Sequence, residues 1–357
     1  MPTVSVILAG GSGTRFWPLS RAELPKQVLN ISGNDVMINE TIKRCENIIP
    51  YENNYIVTAA SQQKKIDDVL LKEVPRENIL TEPSQRNTAP CILYAALKLK
   101  KLYGDGVMCV FPSDQYITNT EEFSRIMKKA VALAEKSDKL ITLGIKPTFP
   151  STGYGYINFD ASKNVDGAFS VNEFVEKPSY DKALSYIKAG TYLWNSGIFI
   201  WKISTIIENF KRYLPRIYDK MMEWYDFIGT DGERQKLDEV YPALQKISID
   251  YGVLERSNEV LVFPADMGWN DVGSWDALGA IFPPDEDGNI IRADDHVLID
   301  TNDCIIYSEK QLVTAINLSN MIVVSTEDAL MVCPKDKAQE VKRIVDKLNE
   351  KNMQKYL

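Results

Sequence analysis

Residues 4–15 read Val4-Ser-Val-Ile-Leu-Ala-Gly-Gly-Ser-Gly-Thr-Arg15, an apolar run that leads directly into a glycine-rich segment. The run predicts a buried strand, and the glycines let the following loop approach a ligand and direct N–H groups at phosphate oxygens. The loop is not a P-loop, because no Gly-Lys-Ser/Thr follows at the required spacing. It is not a dinucleotide fingerprint either, because the third glycine would fall at Phe16. The stretch predicts a first strand that ends in a phosphate-binding loop, with a tight glycine turn as the structural alternative.

The chain beyond this loop alternates short β-branched runs with helical stretches. Apolar periodicity predicts helices at Ala89–Lys101 and Phe123–Ala134. The runs that predict strands before residue 150 are Val4–Leu8, Tyr55–Thr58, Val107–Phe111 and Leu140–Leu143. Strands separated by helices indicate an α/β fold, with a Rossmann-like, mostly parallel sheet covered by helices on both faces.

The composition of the chain changes after residue 282. No linker rich in Pro, Gly or Ser interrupts the preceding part, so we place a first domain at 1–282. A turn-rich segment follows, and then apolar runs begin every seven to nine residues, at Val297, Cys304, Leu312, Met321 and Ala329. This spacing predicts a small β-rich domain at 283–357, which ends in an amphipathic helix around Val341–Leu348.

Composition also limits the classes of function. The 357 residues carry 41 Lys+Arg and 49 Asp+Glu, and this acidic balance argues against a nucleic-acid-coating protein. No apolar run approaches the roughly 20 residues of a membrane span. Five dispersed cysteines without a CxxC pair are typical of reduced thiols, so we expect a cytoplasmic protein. The only histidine, His296, argues strongly against a Ser-His-Asp triad or a multi-histidine metal site.

The continuation of the glycine loop identifies a family. Thr14-Arg15-Phe-Trp-Pro-Leu-Ser-Arg21 and Leu24-Pro-Lys-Gln27 resemble the signature of the sugar-phosphate nucleotidyltransferases. The resemblance implies that Arg15 and Lys26 neutralise the phosphates of a nucleoside triphosphate, which agrees with the need to offset charge on a leaving pyrophosphate. It also implies that the triphosphate lies against the loop residues Leu8, Ala9, Gly10, Gly11, Gly13 and Thr14.

A second segment, Glu82-Pro-Ser-Gln-Arg-Asn-Thr-Ala-Pro90, resembles the guanylyl-transferring branch of the family. Guanine presents N1–H and N2–H donors, so the carboxylate of Glu82 would suit that edge of the base. By the resemblance, Asn87 or Arg86 holds the ribose or the phosphates. The structural alternative is that Asn87 merely caps the helix that begins near Thr88.

Two further motifs resemble the metal-binding carboxylates of the family. Phe111-Pro-Ser-Asp114 closes a predicted strand, where open α/β sheets place ligands, and Trp269-Asn-Asp271 supplies a second carboxylate. The resemblance implies Mg²⁺ on Asp114 and Asp271, and Mg²⁺ suits a site with few protein oxygens plus phosphate and water. The family often has His after Asp114, whereas this chain has Gln115-Tyr116. Capping or turn formation is the alternative for each aspartate alone.

The sugar-binding parts of the family resemble three segments in the middle of the chain. They are Thr152-Gly-Tyr-Gly-Tyr-Ile157, Phe174-Val-Glu-Lys-Pro178 and Trp194-Asn-Ser-Gly-Ile-Phe199. The resemblance implies that Gly155 approaches the sugar ring, that Glu176 and Asn195 bind sugar hydroxyls, and that Lys177 holds the sugar phosphate.

Together these motifs imply transfer of GMP from GTP to mannose 1-phosphate, with GDP-mannose and pyrophosphate as products. A phosphate monoester is already largely ionised at neutral pH, so no general base is required. Three alternatives stay open: another NTP, another hexose or a manno-configured heptose phosphate, and a non-catalytic regulatory subunit that binds sugar nucleotides. The chain has no room for the isomerase domain fused to some family members, so we expect a single activity. The resemblance also implies a left-handed β-helix in the second domain and a possible homodimer.

Overall fold

The phosphate loop follows the first strand of a large sheet. The protein is described by a computed structural model that covers residues 1–11 and 13–357. Val4, Val6 and Ile7 are completely buried in β1, because the strand lies inside the sheet. The strands of the first domain are β1 (Thr3–Leu8), β2 (Asn54–Ala59), β3 (Ile79–Glu82), β4 (Val107–Pro112), β5 (Tyr116–Ile117), β6 (Leu140–Ile145), β7 (Gly155–Val165), β8 (Ala168–Glu176), β9 (Tyr192–Lys202), β10 (Val260–Ala265) and β11 (Trp269–Asn270).

Nine of these strands form one sheet in the order β3-β2-β1-β4-β9-β6-β10-β8-β7. β3, β2, β1 and β4 run parallel, as do β6 and β10. All other pairings, including those of β9 with β4, β6 and β7, are antiparallel. The sheet is therefore mixed: the predicted parallel pairing holds among β3, β2, β1 and β4 and between β6 and β10, and the remaining pairs depart from it. The reason is that β7 and β8 form a hairpin across Asp166-Gly167, which needs no crossover helix.

Helices cover both faces of the sheet, as the alternating pattern predicted. Phe123, Ile126 and Met127 line the buried side of α4 and pack on one face, together with residues of β4, β6 and β10. α3 packs on the other face with α6, α7 and α8. In the described ranges no helix is long and apolar enough to span a bilayer. The helices are α1 (Met37–Arg44), α2 (Gln63–Val69), α3 (Thr88–Tyr103), α4 (Thr120–Lys136), α5 (Tyr180–Ala189), α6 (Ile203–Tyr213), α7 (Pro215–Tyr225) and α8 (Glu233–Val240).

The last part of the chain winds into stacked parallel strands, and its final strand then pairs antiparallel with the one before it. Equivalent positions in successive turns are 15 and 17 residues apart, as Ile290 pairs with Ile305 and Ile305 with Ile322. The five predicted apolar runs correspond to the last five strands, and only β12 has no counterpart among them. These elements are β12 (Ile290–Arg292), β13 (His296–Ile299), β14 (Ile305–Ser308), β15 (Val313–Ile316), β16 (Met321–Ser325), β17 (Leu330–Pro334) and α9 (Lys342–Glu350).

The segment that follows the phosphate loop is packed against this C-terminal part. Phe16 and Trp17 share a buried apolar cluster with Trp275, Ile305 and Ile322. The indole Nε1 of Trp17 donates to the backbone oxygen of Tyr356 at 2.8 Å, and Arg21 Nη1 donates to the same oxygen at 2.6 Å. The two ends of the chain therefore meet beside the phosphate loop.

Candidate active site

In the phosphate loop, carbonyl groups accept hydrogen bonds from the protein, whereas several N–H groups are left without a partner among the described residues. Among the described residues, the backbone N–H groups of Gly10, Gly11 and Gly13 have no hydrogen-bond partner. Amides in this state suit an anion, because a buried or half-buried N–H that lacks a partner gains by binding one. Three loop carbonyls accept hydrogen bonds from glutamine side chains: Ala9 from Gln27 (2.7 Å), Gly10 from Gln85 (2.9 Å) and Gly11 from Gln62 (3.3 Å).

Glycine at position 13 is required by its neighbour Lys26. Gly13 has φ 62°, and a Cβ there would lie 2.5 Å from Cβ of Lys26. This close approach buries the lysine side chain beneath the loop, where only 4% of it is exposed. Arg15, by contrast, is exposed, and its side chain has no hydrogen-bond or ion-pair partner in residues 1–11 and 13–357.

Lys26 connects the two predicted metal carboxylates. Its Nζ donates to Oδ2 of Asp114 and to the backbone oxygen of Asp114, both at 3.0 Å, and to the backbone oxygen of Asp271 at 3.1 Å. The ammonium also lies 5.3 Å from the centre of the Phe16 ring. Lys26 thus holds the Asp114 carboxylate beside the backbone of Asp271, whereas Arg15 and the loop amides keep their donors free of partners within the described residues.

A short ribbon brings the aspartates together although 157 positions separate them in the sequence. β5 follows Asp114, β11 precedes Asp271, and the two strands pair antiparallel. In this pairing Trp269 lies opposite Ile117, and Asn270 lies opposite Tyr116. The residues just outside the ribbon, Asp114 and Asp271, consequently flank the same Lys26 ammonium.

Asp271 is the more constrained of the two carboxylates. Its Oδ1 accepts a hydrogen bond from the hydroxyl of Tyr154 at 2.6 Å. Burial raises the pKa of Asp271, and the charge of Asp114 raises it further, whereas Tyr154 and Lys26 act in the opposite direction. A cation between the carboxylates would therefore be favourable, because the protein leaves their repulsion only partly compensated.

The donor set of this pair fits Mg²⁺. Within the described chain no cluster of three or more His, Cys, Asp or Glu could hold a metal by itself. Mg²⁺ usually takes one or two protein carboxylates and completes its octahedron with water and substrate phosphates. Asp114, with 40% of its side chain exposed, is accessible to such a complex.

Two adjoining cavities meet at the carboxylates. A cavity of about 320 Å³ is lined by Gly13, Thr14, Arg15, Lys26 and Asp114, among others. A second, of about 190 Å³, lies beside it. Gln115 and Asp271 line both cavities. An anionic group in the first can therefore touch a ligand in the second at the position of Asp271.

The smaller cavity contains the predicted sugar residues Gly155, Glu176 and Asn195. A Cβ on Gly155 would lie 2.5 Å from Oε2 of Glu176, so the glycine here makes room for that carboxylate. The other oxygen, Oε1, accepts from the ammonium of Lys177, whose side chain is 58% exposed. The contact with Glu176 therefore explains by itself why residue 155 is a glycine, without the predicted approach to a sugar ring. Leu8, at the end of β1, lines the same cavity.

Gly155→Ala is expected to weaken binding in the smaller cavity. The new methyl group must displace the Glu176 carboxylate, and overpacking of this kind costs about 1–3 kcal/mol. We expect a rise of about 5- to 150-fold in KM for the substrate that occupies this cavity, with KM for the other substrate within about twofold. Gly279→Ala is the matched control, because its Cβ would lie 3.4 Å from Ile290 Cδ1, an ordinary contact, and Gly279 lines neither cavity. Equal effects of the two variants would contradict this account.

The predicted base-reading segment lies at the far side of the loop. Glu82 ends β3, is 5% exposed and accepts a hydrogen bond from the hydroxyl of Tyr241. Its Oε2 would be 3.4 Å from a Cβ on Gly10, so the carboxylate touches the phosphate loop. Burial raises the pKa of Glu82 to about 7, although the Tyr241 hydroxyl opposes the shift. Glu82 is thus held in a fixed position beside the phosphate loop.

The neighbours of Glu82 in this segment make structural contacts. Asn87 caps α3, because its Oδ1 accepts from the backbone N–H of Thr88 at 2.8 Å, and its own φ is 67°. Arg86 donates from Nη2 to the backbone oxygen of Pro242, while its buried Nε has no partner among the described residues. The capping alternative for Asn87 therefore holds, and capping does not prevent ligand contact.

Three residues at the site were not identified from the sequence. Tyr154 fixes Asp271, Gln115 lies between the two cavities, and Asp250 lines the smaller cavity. Tyr154 and Gln115 lie inside or next to motifs that were recognised for other residues. Asp250 had no signal of this kind, because it begins a π-helical turn, Asp250–Leu254, which has no periodic pattern.

Comparisons with known proteins agree with this arrangement. A family model described as "Nucleotidyl transferase" matches residues 4–288, and one described as "MannoseP isomerase/GMP-like beta-helix domain" matches residues 294–348. A "Mannose-1-phosphate guanylyltransferase" of Salmonella montevideo is 39% identical, over 99% of this chain and 75% of that protein. A "Putative mannose-1-phosphate guanylyltransferase" of Vibrio cholerae is 36% identical, over 99% and 76%. A crystal structure from Thermus thermophilus, named mannose-1-phosphate geranyltransferase, has a TM-score of 0.88 at 32% identity and covers 98% of this chain and 100% of its own.

Proposed function

Because the chain belongs to the nucleotidyl transferase family, we propose that it is an enzyme that transfers GMP from GTP to mannose 1-phosphate, forming GDP-mannose and pyrophosphate. The observation that carries the proposal is the pair of adjoining cavities that share Asp271 and Gln115. One is lined by Arg15, Lys26 and Gly13, which suit a triphosphate, and the other has hydroxyl-binding groups that suit a sugar. The two substrates meet where the carboxylates lie.

The reaction is an in-line displacement at the α-phosphorus of GTP. A phosphate oxygen of mannose 1-phosphate attacks, a new P–O bond forms, and the bond to the departing pyrophosphate breaks. The protein acts mainly by positioning two polyanions and compensating their charge, so no histidine is required. Arg15 and the N–H groups of Gly10, Gly11 and Gly13 bind the triphosphate, and Lys26 fixes the carboxylates.

Asp114 and Asp271 would hold Mg²⁺, in keeping with the divalent-metal requirement implied by the resemblance to this family. When bound, the ion supplies positive charge to the phosphate oxygens of both substrates. Tyr154 orients Asp271 for this role through its 2.6 Å hydrogen bond. Lys26 keeps Asp114 in place through Oδ2.

For the substrates we propose the binding roles that the resemblance to the family implies. Glu82 binds the donor edge of guanine, and Arg86 and Asn87 border the nucleotide. Glu176 and Asn195 bind sugar hydroxyls. Lys177, whose ammonium is exposed, has the role that the resemblance implies, which is to bind the phosphate of mannose 1-phosphate.

The test is pyrophosphate release by purified protein with mannose 1-phosphate and Mg²⁺, with GTP compared against dTTP, CTP, ATP and UTP. We expect release with GTP that disappears when EDTA is added. Release with another nucleotide alone would overturn the assignment of guanine. No release with any nucleotide, together with tight binding of GDP-mannose, would indicate a regulatory subunit instead.

Glu82→Gln is expected to change both base recognition and the dependence of stability on pH. A glutamine offers guanine one acceptor and one repelling N–H₂ group, so kcat/KM with GTP should fall about 10- to 100-fold. The folded-state pKa of Glu82, about 7, lies above its ordinary 4.5, so its stabilising contribution is present at acidic pH and is lost between about pH 4.5 and 7. The free energy of unfolding of the variant, relative to that of wild type, should therefore increase by up to about 3 kcal/mol as pH rises from 5 to 7.5.

Glu46→Gln is the control for this comparison. Glu46 also accepts a hydrogen bond from a tyrosine hydroxyl, that of Tyr51 at 2.6 Å, but the pair is exposed. Urea denaturation at several pH values should show a pH-dependent difference for Glu82→Gln and none for Glu46→Gln. A Glu82 variant with unchanged kcat/KM for GTP would remove Glu82 from the base site.

Further parts of the proposal concern the whole molecule. The chain consists of a nucleotidyl transferase domain followed by a β-helix domain, whose family matches end at residue 288 and begin at residue 294. From the change in composition we propose the boundary between residues 282 and 283. We propose a left-handed winding for the β-helix and a homodimer that uses its exposed apolar residues, among them Val297, Ile299 and Ile316. Light scattering of wild type and of Ile316→Lys tests the dimer. We place the enzyme in the cytoplasm, where GTP is available and its free cysteines stay reduced.

A further inference from the structure

Asp250 is a carboxylate in the wall of the smaller cavity for which no role has yet been assigned. It begins the π-helical turn Asp250–Leu254 and lies among Glu176, Asn195 and Gly155. π-Helical turns are rare and are concentrated at functional sites. An ordinary α-helical start would place different groups here, so the turn determines which side chain faces the cavity.

The carboxylate of Asp250 is fixed by Asn195. Asn195 Nδ2 donates to Asp250 Oδ1 at 3.0 Å. The other end of this amide is already engaged, because Asn195 Oδ1 accepts from Thr142 Oγ1 at 3.2 Å and from the backbone N–H of Gly197 at 3.1 Å. The amide therefore cannot rotate without losing three contacts. An ionised carboxylate accepts about four hydrogen bonds, so the contacts with Asn195, with the Ser248 hydroxyl and with its own backbone N–H leave Asp250 room for one more donor, and the residue lines the cavity.

The surroundings of Asp250 favour a hydroxyl donor. Burial, and then the charge of Glu176, raises the pKa of Asp250 to about 7, while the nearby ammonium of Lys177 acts in the opposite direction. Two carboxylates in one small cavity repel an anionic group and accept hydrogen bonds from hydroxyls. The phosphate of a sugar phosphate would therefore point away from them, toward the larger cavity, and the hydroxyl-bearing ring would face them.

We propose that Asp250 is a specificity-determining residue that accepts a hydrogen bond from one ring hydroxyl of the sugar phosphate. This inference rests on the proposed function, because it assumes that the smaller cavity holds the sugar. Asn195 then has two tasks: it contacts the sugar and it keeps Asp250 in place. Glu176 and Asp250 together select a ring with hydroxyls at two positions.

The test combines Asp250→Asn with substrates that each lack one hydroxyl. Asparagine retains an oxygen that accepts from Asn195, so the position of Asn195 is preserved while the charge and one acceptor oxygen are lost. The substrates are mannose 1-phosphate and its 2-, 3-, 4- and 6-deoxy derivatives, each assayed by pyrophosphate release with GTP. For wild type we expect one deoxy derivative to lose about 10- to 100-fold in kcat/KM. For Asp250→Asn that same derivative should lose less than threefold.

The split between the kinetic constants provides a second readout. For Asp250→Asn the effect should appear mainly in KM for mannose 1-phosphate, with KM for GTP within about twofold of wild type. Asp219→Asn, an exposed aspartate on α7, is the matched control and should behave as wild type with every substrate.

The outcomes distinguish a failure of the proposed function from a failure of the role proposed for Asp250. If wild type releases no pyrophosphate with mannose 1-phosphate and GTP, the proposed function fails. If wild type is active and each deoxy derivative lowers kcat/KM by the same factor in Asp250→Asn as in wild type, Asp250 makes no contact with a hydroxyl and this inference is overturned. Coupling to one hydroxyl alone supports it.

Discussion

Asp271→Asn is expected to lower kcat about 10³-fold while leaving the fold intact or more stable. The charge that a metal supplies to a transferring phosphoryl group is worth several kcal/mol, and each 1.36 kcal/mol is a factor of ten in rate. Asparagine keeps an oxygen for the Tyr154 hydroxyl but removes the charge that burial and Asp114 disfavour. A neutral residue at this position should therefore not lower the melting temperature.

The measurements are kcat by pyrophosphate release and the melting temperature by circular dichroism. Asp114→Asn should produce a loss of similar size, and the double variant should be about as slow as either single one, because the carboxylates act as a unit. Asp219→Asn serves as the control for removal of an aspartate charge elsewhere. A loss smaller than tenfold in Asp271→Asn would show that the catalytic charge lies at another position.

Lys26→Met is expected to impair both activity and stability. The methionine fills the same channel beneath the loop, but the backbone oxygens of Asp114 and Asp271 lose their donor and the two carboxylates lose their cation. Each buried polar group left without a partner costs about 1–3 kcal/mol. We expect kcat to fall about 10²- to 10³-fold and the free energy of unfolding to drop by several kcal/mol.

A second variant separates the electrostatic effect from simple misfolding. In Lys26→Met/Asp114→Asn only one of the two carboxylate charges is left without the lysine cation. Urea denaturation should therefore show that this double variant recovers part of the stability lost in Lys26→Met. Activity should stay low in both. If Lys26→Met unfolds at the same urea concentration as wild type, the lysine does not hold the carboxylates together, and its role would be confined to the substrate.

Much of the secondary structure could be predicted because apolar periodicity is local. The predicted strand Val4–Leu8 lies within β1, and Val107–Phe111 lies within β4. The five apolar runs of the C-terminal part are also confirmed as strands. The strands Tyr156–Phe159, Phe174–Glu176, Gly197–Trp201 and Val260–Pro264 are predictable in the same way and lie within β7, β8, β9 and β10, but the antiparallel pairing of this half of the sheet was missed. β7 continues to Val165 through exposed polar residues without alternation, although Asp166-Gly167 is a typical sequence for a tight hairpin turn.

The site could be predicted only as a set of motifs. Recognition of Asp114 and Asp271 came from local sequence, but their meeting depends on the pairing of β5 with β11, which leaves no trace in either segment. The contact between Tyr154 and Asp271 spans 117 positions and is equally invisible to local patterns. Asp250 was missed for another reason: a single irregular helical turn, which has no periodic sequence pattern, places its side chain in the cavity wall. Which residues bind which substrate stays a prediction.

The attachment of Trp17 to Tyr356 has a consequence for biosynthesis. The two residues are 339 positions apart, and a ribosome that adds about 5–20 residues per second needs roughly 20–70 s to span that interval. Throughout that time the indole and the Arg21 guanidinium lack the carbonyl that anchors them. The segment that follows the phosphate loop therefore acquires this anchor only after Tyr356 has been synthesised, when the strands of the large sheet have already been made.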